Sequence, residues 1–381
     1  MRSRLRGTCA ALLASPLLLV LAACGGGGTP AAAPEASASL ALEKRGPPPA
    51  TSKTVTAQEC DRSVLGDTIS PESIGEPVSG ITLNDWTWVA ATANTPAYCR
   101  VGGSMTPIDP AAPPINFRVA LPSTWNYRYV QVGGGGMNGS IPGLTGGPGA
   151  GTPTYLARGW AVAGSDSGHS GFGAEWALND EAMKNLGYMQ MKKTRDAAWV
   201  LMKRLYGGKP YFAYWVGGSQ GGREGLTVMK KYPSDFNGIV VTVPIVNFSS
   251  LMLAPEWLRI QELPQANWVT PAKRTAIVTE MMRQCDGLDG LQDGIINNYP
   301  ACRAIFDVNQ GAAGRDPWAA KRCPGNVDPD PADTSANACL TDGQISTLHF
   351  KHTRYQYATR SPSTRAPSAC GCPARTRGAS A

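Results

Sequence analysis

The chain is poor in histidine: His169, His349 and His352 are the three in 381 residues. Chemistry that needs an imidazole base therefore has few places to be. A basic surplus is also missing from most of the chain. The formal charge of +7 rests on Arg2, Arg4 and Arg6 near the start and on Arg360, Arg365, Arg375 and Arg377 near the finish, and neither of these segments carries an acid. The stretch between them is formally neutral, so no basic face remains to neutralise phosphates and a nucleic-acid partner has no support. The apolar run at residues 10–21 is too short to span a bilayer. Residues 360–381 contain no Val, Ile, Leu, Met, Phe, Tyr or Trp, which rules out a packed element there.

The N-terminus has the parts of an export signal: a basic start, a short apolar run and small residues before a cut. Leu21-Ala22-Ala23-Cys24 resembles a bacterial lipobox, in which Cys24 becomes the lipidated first residue of the mature protein. Ordinary cleavage with an incidental Cys24 is the alternative. The glycine run at 25–28 and the Pro/Ala/Ser-rich stretch beyond it read as a flexible tether. The expected location is thus outside the inner membrane, as a periplasmic or cell-surface lipoprotein or a secreted protein. Membrane contact would come only through the lipid at Cys24, and disulfides are permitted there.

One stretch is dense in information: YFAYWVGGSQGGREG at residues 211–225. Its aromatic and β-branched opening predicts a buried strand, and the residues after it predict a helix reaching Lys231. Between them lies Gly217-Gly218-Ser219-Gln220-Gly221, a G-x-S-x-G. Serine on a tight strand-to-helix turn is held in a strained conformation, with glycine neighbours so that strand and helix can approach. That turn lifts the Ser219 hydroxyl clear of the sheet as a nucleophile. It also aims the Gln220 N–H and the helix N-terminus at any oxyanion formed there. A glycine-rich turn that happens to contain serine is the plain alternative.

Short apolar segments at 115–121, 129–132, 160–164, 211–216 and 239–243 predict strands, and 191–205 predicts a helix with Ala197, Leu201 and Leu205 on one face. This alternation implies an α/β fold, a largely parallel sheet covered by helices. Its active site belongs at the carboxyl ends of the strands, where Ser219 falls. Gly133 to Gly136, followed by Met137, Asn138 and Gly139, comes directly after the strand at 129–132. A loop in that position supplies the second oxyanion donor, so the Gly135 N–H is expected beside that of Gln220. His169, in the segment DSGH, precedes Ser219, whereas a base on this fold follows the nucleophile and the acid. It reads as a structural or pocket-lining histidine.

Residues 247–282 are rich in Leu, Trp, Pro and Met with mixed helical spacing, which suits an inserted lid. Then comes CDGLDGLQDG, with Cys302 further on. Carboxylates at Asp286, Asp289 and Asp293, interrupted by glycines, form a loop able to wrap oxygens around a hard cation, with the carbonyls of Leu291 and Ile295 filling in. The spacing is not that of an EF-hand, and Asp-Gly pairs are also ordinary turn signals.

Together GGGGMNG, DSGH, GGSQGGREG and CDGLDGLQDG with its later cysteine resemble the tannase and feruloyl esterase family, which also contains bacterial mono(hydroxyethyl) terephthalate hydrolases. The resemblance covers about residues 60–358. It implies an α/β-hydrolase fold with a large inserted lid, one structural calcium, and substrates that are esters of aromatic acids. It also implies the disulfides Cys60–Cys99, Cys285–Cys302 and Cys323–Cys339. There are two departures. Many members place a cysteine just before the nucleophile, bonded to another beside the catalytic histidine, and here that position is Gly218. The family's catalytic Asp and His lie beyond the lid, in a C-terminal section with no counterpart here.

The expected layout is an export signal at 1–23, a tether at 24–55, the N-terminal part of a hydrolase core at 56–246, a partial lid with the calcium loop at 247–359, and a tail at 360–381 outside the family pattern. The tail has the composition of a shifted reading frame in a GC-rich gene, with Cys370 and Cys372 accidental; a natural disordered tail is the other reading. The expected function is a serine carboxylic-ester hydrolase whose Ser219 forms an acyl-enzyme. Activity is expected to be impaired, because the Asp and His partners are missing and His349 and His352 both fall in the lid. The alternative is a non-catalytic exported lipoprotein that keeps an aromatic-ligand pocket.

Overall fold

A computed structural model describes residues 49–308 and 315–353. The export signal, most of the tether with Cys24, and the tail with Cys370 and Cys372 lie outside the described residues. The remainder of the tether is shorter than expected. Lys53 and Thr54 pair antiparallel with Trp125 and Thr124, the Val55 N–H donates to Ser123 O at 2.8 Å, and Val55 is buried. Ordered structure therefore starts before residue 55, because an extended segment there finds both a backbone partner and an apolar hole.

Eight strands form the main sheet among the described residues. They are β1 (Thr68–Ile69), β2 (Gly80–Val89), β3 (Tyr98–Thr106), β4 (Ile115–Pro122), β5 (Arg128–Val132), β6 (Trp160–Ser165), β7 (Phe212–Gly218) and β8 (Gly238–Thr242). Across the sheet the order is β8-β7-β5-β6-β4-β3-β2-β1. The β8-β7-β5-β6 half is parallel, and the pairings from β6 to β1 are antiparallel.

Strands β4–β8 are the five expected from the sequence. Strands β2 and β3 were not expected, and the reason is physical. β2 carries Thr82, Asn84, Asp85 and Thr87 and has a register shift between Leu83 and Asp85; β3 carries Arg100, Gly102 and Gly103. Neither shows an apolar run. Gly103 is required where the strands pack closely, since a Cβ there would lie 2.7 Å from the Phe117 ring and from Thr82 O.

In the parallel half both faces are covered, so successive residues are buried on opposite sides. On β5, Tyr129 joins a core with Phe117, Val119 and Trp215, while Val130 packs with Val162, Tyr155 and Leu156 on the other face. Helix α1 (Gln190–Tyr206) covers the first face with Ala197, Ala198, Leu201, Met202 and Leu205. It ends at Gly207, whose φ of 79° lets the chain turn out of the helix. Helix α2 (Gln220–Lys231) follows β7 directly.

Beyond β8 come α3 (Phe248–Glu262), α4 (Arg274–Cys285), α5 (Tyr299–Phe306) and α6 (Asp342–His352). They enclose a separate core of Cys285, Cys302, Phe306, Trp318, Leu340, Ile345 and Leu348, in the region expected to be the lid. The disulfides Cys60–Cys99, Cys285–Cys302 and Cys323–Cys339 are all formed. Among the described residues no helix is long and apolar enough to cross a membrane.

Candidate active site

Ser219 sits between β7 and α2 with φ 53° and ψ −116°, left-handed values that cost a non-glycine residue free energy and persist only when the surroundings impose them. The surroundings do impose them. Its N–H donates to Thr242 O at 3.0 Å, and its carbonyl accepts from Arg223 N at 3.1 Å and Ile245 N at 3.3 Å. The buried Trp215 indole donates to Gly221 O at 3.0 Å. Gly217, Gly221 and Gly222 are buried, yet Ser219 itself is exposed. A backbone locked on all sides thus presents its hydroxyl to solvent.

The glycine loop lies against this turn. A Cβ on Gly133 would meet Gly221 Cα at 2.6 Å, and one on Gly221 would meet Gly134 O at 2.9 Å. The Gly133 N–H donates to Val216 O at 2.9 Å, extending the β5–β7 pairing into the loop. Among the described residues the Gly135 N–H has no acceptor, and the Gln220 N–H is one of the first-turn donors that a helix cannot satisfy. Two unsatisfied backbone donors therefore belong to the two segments that meet at Ser219.

The DSGH segment braces the loop from the far side. Gly139 N donates to Asp166 O at 3.0 Å, and Gly171 N to Gly139 O at 2.9 Å. The Asp166 carboxylate accepts from Asn116 N and Gly168 N at 3.0 Å and from Asn116 Nδ2 at 2.7 Å. Burial nonetheless pushes its pKa up to about 6, against those donors. His169 is buried, stacked on Trp176 with ring centroids 4.0 Å apart, and desolvation lowers its pKa. It is a packed residue, as its position in the chain order suggested.

The two histidines beyond β8 are occupied within their own region. His349 Nε2 lies 3.3 Å from Asp316 Oδ1. His352 packs on Phe306 and Trp318, where desolvation, then nearby cations, hold its pKa down to about 4. Among the described residues no hydrogen bond joins Ser219 to an imidazole or a carboxylate.

In the acidic loop, Asp286 Oδ1 accepts from Gly294 N, Asp289 Oδ1 from Leu291 N and Asp293 Oδ1 from Ile295 N, at 2.9–3.0 Å. Asp289, Leu291, Asp293 and Ile295 are exposed, and Cys285–Cys302 closes the segment. The three carboxylates do not gather to within 4.8 Å of one another; the group that does so among the described residues is Cys323, Asp328 and Cys339. Its two sulfurs are joined to each other, so they are not available as thiolate ligands.

Two side chains of this site were overlooked in the sequence. Arg223 donates Nε to Gln220 Oε1 at 2.8 Å and its other nitrogens to Gly187 O and Leu186 O, tying the residue after Ser219 to the segment just before α1. Glu224 is wholly buried and holds Gly134 and Asn138. A signal for it existed: Gly221, Glu224, Gly225 and Val228 share one buried helix face, on which an acid is out of place.

A mostly parallel half-sheet, a strained serine at the carboxyl end of β7, and a glycine loop pressed against the first turn of α2 define an α/β-hydrolase. Residues 99–368 match the family described as tannase and feruloyl esterase. The chain belongs to that family. An esterase of Agrobacterium fabrum is 38% identical over 305 residues, 77% of this chain and 53% of that protein. The mono(2-hydroxyethyl) terephthalate hydrolase of Piscinibacter sakaiensis is 31% identical over 243 residues, covering 57% of this chain and 40% of that protein. The crystal structure of feruloyl esterase B from Aspergillus oryzae shares the fold with a TM-score of 0.54 at 24% identity, covering 73% of this chain and 53% of that one. The chain thus spans about half the length of the first of these relatives and two fifths of the second.

Proposed function

We propose that the chain carries the nucleophile and oxyanion donors of a serine carboxylic-ester hydrolase acting on esters of aromatic acids. The observation that carries this reading is an exposed Ser219 held at φ 53° beside two free backbone donors. Ser219 Oγ attacks the ester carbonyl, and the Gly135 and Gln220 N–H groups hold the oxyanion as the tetrahedral intermediate forms. The alkoxide leaves as the alcohol with the proton given up by the Ser219 hydroxyl, and water then cleaves the acyl-enzyme, its hydroxyl going to the acid and its other proton restoring Ser219. The aromatic preference draws on the activities of relatives, a mono(2-hydroxyethyl) terephthalate hydrolase and probable feruloyl esterases. With no base hydrogen-bonded to Ser219 among the described residues, turnover should be slow, since the oxyanion hole and binding alone are worth on the order of 10³-fold over water.

The test is hydrolysis of p-nitrophenyl acetate and methyl gallate by the purified chain and by Ser219→Ala. Slow turnover in the parent, lost in the variant, is the expected result. Equal rates in both would overturn it. Binding of an aromatic acid without turnover would select the second reading, a non-catalytic pocket protein, which is favoured by the missing imidazole contact.

Calcium at the acidic loop belongs to the same proposal. The donor set is all oxygen, and Asp286 Oδ2 and Asp293 Oδ2 have no hydrogen-bond partner among the described residues, so these carboxylates can still turn toward a hard cation. Asp286, Asp289 and Asp293 would hold it, with the Leu291 and Ile295 carbonyls, and its role would be to stabilise the lid. Calcium at about 100 times its Kd should add about 2.7 kcal/mol of stability. We expect a higher thermal midpoint with calcium than with magnesium, lost in Asp289→Asn; identical midpoints with and without calcium would refute the site. For location, three disulfides fit an oxidising compartment, and we extend this to export with a lipid anchor at Cys24, checked by membrane release in Cys24→Ala.

A further inference from the structure

We infer that Glu224 is a positioning residue whose buried carboxylate latches the glycine loop to the nucleophile's helix, fixing the Gly135 N–H relative to Ser219. This rests on reading Ser219 as the nucleophile. Glu224 is 0% exposed and lies on the second turn of α2, whose N-cap is Ser219, so the two move as one body. Its Oε2 accepts from Gly134 N at 3.0 Å. Its Oε1 accepts from Asn138 Nδ2 and from Gln190 Nε2, the latter at 3.2 Å. Three donors thus converge on one carboxylate, from the loop and from the start of α1.

The two loop contacts bracket the functional turn. Gly134 and Asn138 flank residues 135–137, and the Asn138 N–H closes that turn onto Gly135 O at 2.8 Å. A Cβ on Gly135 or Gly136 would touch nothing within 4 Å, and both residues are exposed, so neighbouring atoms do not wedge these two in place. The loop's outer ends are held by Gly133 N on Val216 O and by Gly139 on Asp166 and Gly171, and Glu224 holds the two residues that flank the turn itself, Gly134 and Asn138. A buried carboxylate without a close ion-pair partner is costly. A residue needed only to fill space there would be apolar. Burial raises the Glu224 pKa, while Asn138, Arg223 and the Gly134 N–H oppose the rise; the donors are arranged for the ionised form.

Two variants separate latching from filling. Glu224→Leu fills the space and removes the acceptors. Glu224→Gln keeps an oxygen for Gly134, and the amides of Asn138, whose Oδ1 has no partner, and of Gln190 can both turn over to receive the new NH2, Gln190 Nε2 then donating to Ser165 Oγ. Two readouts are taken on the whole chain: amide hydrogen exchange of a peptide spanning residues 133–139, and saturation kinetics of Ser219 phosphonylation by an aryl fluorophosphonate. In Glu224→Leu, exchange should accelerate at least about tenfold and the maximal phosphonylation rate should fall on the order of 10²-fold, with half-saturation within about twofold. In Glu224→Gln both should stay within about threefold of the parent. A folded Glu224→Leu that matches the parent in either readout overturns the latch, as does a Gln variant as impaired as Leu.

If Glu224→Leu does not fold, Asn138→Ala tests the same bracket from the loop side and leaves α2 untouched; a parental maximal rate there overturns the proposal. If Ser219 of the parent does not react at all, the nucleophile reading has failed. The exchange data then decide the latch alone, supporting it when protection is lost in Leu and kept in Gln, and rejecting it otherwise.

Discussion

Gly217→Ala is expected to lower the stability of the chain by about 3 kcal/mol, the upper end of the usual range for overpacking, and to slow Ser219 labelling on the order of 10²-fold. The cause is contact, not backbone dihedral. A Cβ on Gly217 would run into the carbonyl carbon and oxygen of Gly221 and come within 2.8 Å of its Cα. All three are backbone atoms of the first turn of α2, so no side chain can swing aside. Relief requires the helix start to move, and the Trp215 indole bonded to Gly221 O and the Ser219 N–H bonded to Thr242 O both resist. Whatever gives way, Ser219 is displaced. Urea unfolding and phosphonylation kinetics of Gly217→Ala, beside Gly208→Ala as a control with no atom near its Cβ, measure both effects. An unchanged midpoint together with an unchanged labelling rate would show that the strand–helix crossing is looser than these distances allow.

The second large effect belongs to the Cys60–Cys99 bridge. Replacing both cysteines by alanine should cost about 4 kcal/mol, from the chain entropy of closing a loop of this length. The bridge spans 39 residues, against 17 and 16 for the other two, so its loss should be the most damaging of the three. It ties the turn before residue 61 to β3, and both sulfurs lie in the main core. Thermal and urea unfolding of the three paired-alanine variants, under non-oxidising and oxidising conditions, rank the bridges. An order in which Cys60–Cys99 matters least would mean that native packing, not loop closure, dominates at that site.

The elbow was legible in the sequence because its demands are local. A serine between glycines, a β-branched run before and a helix after are all set by contacts within about one turn of the chain. The parallel strands β5–β8 and the antiparallel β4 beside them were legible for a related reason: burial on both faces leaves short apolar runs. Strands β2 and β3 were hidden because their polar residues and glycines serve an antiparallel part of the sheet, where pairing with neighbours overrides composition. The disulfide pairs were reached by family resemblance, since cysteine spacing by itself leaves many pairings open.

By itself the sequence determined the strand–turn–helix unit, the glycine loop after β5 and the structural standing of His169, since each follows from steric limits or chain order close in sequence. Only the tertiary structure decided what holds that loop in place. Glu224 reaches Gly134 across 90 residues and Asn138 across 86, and a carboxylate's partners at such separations depend on which backbones the folded sheet brings together. The same holds for Arg223, whose acceptors at Leu186 and Gly187 lie on another element. Local pattern sets which conformations a segment can adopt, whereas burial of a charge is resolved only when every neighbouring donor has been placed.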